Sequence, residues 1–117
     1  MIDDRLLAEK LQRFSKDRDW DPFHTPKNIA SALSVEASEL LEIFQWTRGQ
    51  ESWSEIDQDP SVRKHVEEEV ADIFLYLVRF ASLAGIDLQQ AALDKMEQNA
   101  VKYPVNRSKG TDRKYNE

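Results

Sequence analysis

Apolar residues recur at helical spacing along most of the chain. Leu6, Leu7, Leu11 and Phe14 form a stripe that predicts a helix over residues 3–18, capped by Asp3 or Asp4. Thr25-Pro26 reads as a helix start, with Thr as cap and Pro in the first turn. A second helix is predicted from Pro26 to Trp46, carrying Ile29, Leu33, Leu40, Ile43 and Phe44, with Gly49 after its end. Residues 48–59 are polar, with a short helical turn at Ser54–Asp57. Asp59-Pro60 repeats the cap-then-proline start and opens a third helix that runs to Ala84, before Gly85. Its first half is charged. Its second half is apolar nearly all round, which places it in a core or at a subunit interface. Asp87 caps a fourth helix, with Gln90 as half of a capping box, and Pro104 ends it after Lys102.

The expected fold is all-α: a bundle of four main helices over residues 1–104, followed by a basic tail over 105–117. Composition supports this. Three Gly and four Pro in 117 residues leave few helix breakers. The absence of Cys removes disulfides, thiolate nucleophiles and Cys-based metal sites from consideration. A net charge of −6 disfavours attraction to a nucleic-acid polymer through the overall field. The longest apolar stretch, Ile73 to Ala84, is too short for a membrane span and is broken by Arg79 and Ser82. The opening Met1-Ile2-Asp3-Asp4-Arg5 is unlike a secretory signal, so a cytoplasmic location is expected.

Chemistry concentrates in the acids. Asp72 sits within Val70-Ala71-Asp72-Ile73-Phe74-Leu75, where its neighbours on both sides look buried. Desolvating such a carboxylate costs several kcal/mol, on the order of 2–7 or more, unless it is compensated. Glu69 lies one turn earlier; Glu68, at i−4, is an equal partner by spacing. Glu36 and Glu39 form a second i, i+3 pair on the second helix. Such pairs face one way, roughly 5–6 Å apart at Cβ. Two of them on facing helices would make an all-oxygen site suited to Mg²⁺ or Mn²⁺. The competing reading is a solvated acidic stripe on a non-enzymatic helical scaffold. Di-iron and zinc hydrolase motifs are absent.

Glu36-Ala37-Ser38-Glu39 followed by Glu69-Val70-Ala71-Asp72 resembles the Glu-x-x-Glu … Glu-x-x-Asp signature of the MazG-like, all-α nucleoside triphosphate pyrophosphohydrolases. Arg18-Asp19-Trp20, Phe23-His24-x-Pro26-x-Asn28, Phe44-Gln45-Trp46, Lys95-Met96, Asn99-x-x-x-Tyr103-Pro104 and Arg113-Lys114-Tyr115 resemble the dCTP pyrophosphatase branch of that superfamily. The resemblance implies Mg²⁺, or Mn²⁺, on Glu36, Glu39, Glu69 and Asp72, and hydrolysis of a (deoxy)nucleoside triphosphate to monophosphate and pyrophosphate. Trp20 and Trp46 would line the base pocket, and Tyr76 would sit beside the sugar. Lys95 and Asn99 would reach the phosphates, joined by Lys102, Arg107, Lys109 and Lys114 if the tail folds over. His24 and Asn28 would order the loop or line the pocket. The resemblance also implies a homo-oligomer, dimer or tetramer, with sites between subunits. One departure leaves the base open: Leu11-Gln12-Arg13-Phe14 lacks the His that members of the branch can place on the first helix. A substrate such as dUTP or an oxidised nucleotide stays in play.

Overall fold

The computed structural model describes residues 1–112. Within them it is helical, with no strand. Arg113, Lys114 and Tyr115, part of the family resemblance, lie outside the described residues.

The helices start where short polar side chains satisfy free backbone N–H groups. Helix α1, Asp4–Asp17, begins with Asp3 accepting from the Leu6 N–H at 3.0 Å. Helix α2, Pro26–Ile43, begins with Thr25 accepting from the Asn28 N–H at 3.2 Å. Helix α3, Pro60–Ala84, follows Asp59, whose Oδ1 accepts from the Ser61 N–H at 2.9 Å and the Ser61 hydroxyl at 2.7 Å. Helix α4, Leu88–Lys102, is capped by Asp87, which accepts from the Gln90 N–H. A short helix α5, Val105–Ser108, opens the stretch read from sequence as a basic tail with little that could pack.

The second helix is shorter than predicted. It stops at Ile43, and the Phe44-Gln45-Trp46 block lies in tight turns. The Thr47 hydroxyl donates to the Phe44 carbonyl at 2.9 Å, and the Thr47 N–H bonds the same oxygen at 3.0 Å. These bonds take the carbonyl that the next helical turn would need.

The chain divides into two compact units, Met1–Ala84 and Gly85–Glu117. In the first, α3 is the central rod. It packs against α2, α1 and the 3-10 turn Trp53–Gln58, to which Arg63 is tied through Asp57 at 3.0 Å. Ile29, Val78 and Ala81 are its buried apolar residues. The second half of α3, read from sequence as apolar nearly all round, is only partly buried within this chain. Arg79, only 4% exposed, is among its most buried side chains, while Leu77 and Leu83 face out. The second unit carries α4 and α5. Among the described residues, no helix is long and apolar enough to cross a membrane.

The exit from α1 sets the position of the loop that follows. Asp19 takes a left-handed conformation at φ 55°. The Trp20 N–H reaches back to the Ser15 carbonyl at 2.9 Å, and the Asp19 N–H to Lys16 at 3.1 Å. This is a Schellman turn with Asp where Gly is usual. It swings Trp20 and the 3-10 turn Asp21–Phe23 back over α1.

Candidate active site

Two turns of α3 and one of α2 bring three acids together. One carboxylate oxygen from each of Glu36, Glu69 and Asp72 lies within 4.8 Å of the others. Glu69 is 8% exposed, and Glu68 is exposed, so the structure chooses Glu69 where spacing could not. Asp72 is less buried than its apolar neighbours implied, and part of it meets solvent. The reason is local: Asp72 stands on the wall of an open cavity of about 340 Å³ rather than in packed core. Glu39 is not one of the three, but it acts on Glu36 by charge and hydrogen bonding.

The cluster is electrostatically incomplete. Glu36 Oε2 and Glu69 Oε2 are buried with no hydrogen-bond partner among the described residues. The other Glu69 oxygen lies 3.5 Å from His65 Nε2. The neighbouring Glu69 carboxyl is the first reason that the Glu36 carboxyl is pushed up from 4.5 to about 7; burial, Glu39 and the charge of Asp72 add to it. Buried carboxylates without donors are costly, and a hard divalent cation is the partner that an all-oxygen donor set of this kind fits. The three close oxygens and the two orphaned atoms meet that description.

Aromatic walls adjoin the acids. Trp20, His24 and Tyr76 line the cavity that contains Asp72, together with Leu11 and Phe14. The same three residues line a second cavity of about 290 Å³, with Asn28 and Ile29. Trp20 is 44% exposed and is held edge-on to Phe14 at 5.6 Å and to the His24 ring at 6.5 Å. The Arg18 guanidinium covers Phe14 at 3.5 Å. Asn28 donates to the Phe23 carbonyl at 3.0 Å and so ties the loop to α2. Trp46, by contrast, is 90% exposed beyond the end of α2 and lines neither cavity. Lys95, Asn99 and Lys102 lie on α4, and Arg107 lies on α5 with Lys109 as its C-cap, all in the second unit.

Sequence reasoning missed a buried network beside this cavity. Arg79 Nε donates to His24 Nδ1 at 3.1 Å, and Arg79 NH2 donates to Asp21 Oδ1 at 3.2 Å. Ser15, 1% exposed, donates its hydroxyl to the same Asp21 oxygen at 2.5 Å and lies 3.3 Å from His24 Nδ1. The signal was available: Arg79 interrupts an apolar run, as Asp72 does. Burial holds His24 below its usual 6.5; the Arg79 charge adds to this, and Asp21 opposes it.

An all-α unit with a cluster of acids that could hold a cation beside an aromatic cavity is the class that fold and site define. The chain belongs to the MazG-like family, whose family model matches residues 31–117. It is 43% identical over 115 residues to dCTP pyrophosphatase 1 of Bos taurus, covering 95% of this chain and 63% of that protein. It is 39% identical over 117 residues to dCTP pyrophosphatase 1 of Homo sapiens, covering 97% and 64%. The chain thus spans somewhat under two thirds of the length of the curated relatives it matches. A solved pyrophosphatase from Archaeoglobus fulgidus superposes with a TM-score of 0.76 at 43% identity, covering 86% of this chain and 91% of that one.

Proposed function

We propose that this protein hydrolyses a (deoxy)nucleoside triphosphate, dCTP-like by preference, to the monophosphate and pyrophosphate, with Mg²⁺ as cofactor and Mn²⁺ as a substitute. The observation that carries this reading is the pair of buried, partnerless oxygens on Glu36 and Glu69, set beside Asp72 at the mouth of an aromatic cavity. The names of the relatives and of the solved neighbour support it.

In this reading Glu36, Glu69 and Asp72 hold the cation, with Glu39 one turn along α2 completing the acidic set. A bound divalent cation would neutralise the cluster and stabilise negative charge on the phosphate oxygens. In this reading water is the nucleophile. Glu36 or Glu39 orients or deprotonates it. Trp20 offers a ring face for the base. Tyr76, shared by both cavities, crowds the sugar and disfavours a 2′-hydroxyl. Only three apolar residues of one chain are buried in the first unit, whereas Leu6, Val70 and Leu77 are exposed, which favours assembly into a dimer or tetramer. In such an assembly, Trp46 would meet the base of a neighbouring subunit.

Pyrophosphate release measured across the deoxy- and ribonucleoside triphosphates, including dUTP and oxidised nucleotides, tests the proposal. Release that needs Mg²⁺ and stops with chelator is the expected result. No release from any triphosphate at saturating Mg²⁺ overturns it.

A further inference from the structure

The Ser15–Asp21–His24–Arg79 network has a consequence for what the cavity can recognise. A guanidinium has only donors and keeps its charge in proteins. Arg79 Nε therefore donates to His24 Nδ1 at 3.1 Å, and Nδ1 must be the bare nitrogen of the ring. The Ser15 hydroxyl proton is committed to Asp21 at 2.5 Å, so Ser15 does not compete for Nδ1. Asp21 also accepts from Arg79 NH2, which fixes the guanidinium from its other side. Arg79 is 4% exposed and Ser15 1%, so both are shielded from bulk solvent.

The ring proton is left on Nε2. That nitrogen has no hydrogen-bond partner among the described residues and keeps contact with solvent. His24 lines both cavities beside Trp20 and Tyr76. Lys10 and Asp72 are the other charged groups on the larger cavity's wall besides Arg79 itself.

We propose that Arg79 is a positioning residue that fixes His24 in its Nε2–H tautomer, so that the cavity wall presents one oriented donor to a ring carbonyl or ring nitrogen acceptor of the nucleotide base. The inference rests on the nucleotide reading above. It adds a base-contacting group outside the acidic cluster. Histidine's second nitrogen commonly sets which proton the first one carries, and here a permanent cation does so.

The test compares two ligands, dCTP and the base-free 1,2-dideoxyribose 5-triphosphate. Kinetics are measured for the full chain and for His24→Phe, His24→Gln, Arg79→Met and Arg79→Lys. His24→Phe should raise KM for dCTP by about tenfold at unchanged kcat, the scale of one lost hydrogen bond, and leave the base-free ligand unaffected. His24→Gln, which keeps a donor near Nε2, should recover most of the loss. Nitrogen NMR of the native protein should read His24 as the Nε2–H tautomer. Arg79→Met should give a mixture of tautomers with a raised KM for dCTP alone, and Arg79→Lys should restore both. Equal effects of His24→Phe on both ligands, or an Nδ1–H tautomer in the native protein, overturn the inference while leaving nucleotide hydrolysis standing. A native protein that hydrolyses no nucleotide overturns the functional reading and this inference with it. The native tautomer is read without any variant, so poor folding of Arg79→Met does not shelter the inference.

Discussion

Helix α3 carries two polar clusters, and they are opposites. Near its middle, Glu69 and Asp72 meet Glu36 of α2, like charges with two buried oxygens that nothing in the described chain satisfies. Two turns further on, Arg79 meets Asp21, His24 and Ser15, where the Arg79 Nε and NH2 donors and the Ser15 hydroxyl find acceptors. The second cluster matches its buried Arg79 charge within the chain itself and anchors the loop that carries Trp20. The first leaves two buried oxygens without a partner among the described residues. A buried polar group that the fold leaves unmatched points to a ligand, whereas one that the fold matches points to positioning.

The largest effect should come from the incomplete cluster. Asp72→Asn removes a charge from the proposed cation site while keeping its shape. Turnover should fall by at least about a hundredfold, with far-UV circular dichroism unchanged. Near-native turnover would remove the acids from the chemistry. The cluster around Arg79 should respond in stability instead. Asp21→Asn leaves the Arg79 charge buried with weakened compensation and should cost about 1–3 kcal/mol in urea unfolding, because Asp21 is itself half-exposed. A loss in turnover at unchanged stability would contradict that division.

The two clusters should also differ in their response to pH. Glu36 is raised from 4.5 to about 7 in the folded protein, so the fold holds a proton that the unfolded chain releases. Without divalent cation, its contribution is full below pH 4.5 and is lost as pH rises through about 7. His24 is lowered from 6.5, so the unfolded chain takes the proton first. Its contribution is present above pH 6.5 and is lost as pH falls through the depressed folded value. Melting curves between pH 5 and 8 should therefore gain alkaline stability in Glu36→Gln and acid stability in His24→Gln. Adding Mg²⁺ should raise Tm and abolish the Glu36 limb while leaving the His24 limb in place. A Mg²⁺ effect that is the same in Glu36→Gln and Asp72→Asn as in the native chain would break the contrast.

The smallest expected effect concerns the turn that joins the second cluster to α1. Asp19→Gly relieves a left-handed conformation at φ 55° and should stabilise the protein by up to about 1 kcal/mol in the same unfolding experiment. A destabilised variant would mean that the Asp19 side chain, rather than its backbone, holds the turn.

Local rules made most of the helix plan legible. Thr25-Pro26, Asp59-Pro60 and Asp87 mark starts because a short oxygen-bearing side chain beside free N–H groups needs no distant partner, and all three start helices here. The end of α2 was misread because Thr47 competes for the Phe44 carbonyl, a choice that periodicity does not encode. The acids were visible as i, i+3 pairs, since helical geometry alone puts them on one face. Which of Glu68 and Glu69 turns inward depends on where α2 lies, and that is a property of packing. Arg79 marks the limit most clearly. As a letter in an apolar run it suggested only that the segment does not cross a membrane. Its partners stand 55 and 58 residues away in sequence, and only when α3 packs beside α1 and its loop do they become neighbours. Composition and spacing settled which residue types were available and which helix faces they occupy. Tertiary structure decided which charges were matched and which were left waiting, because electrostatic satisfaction depends on distance through space.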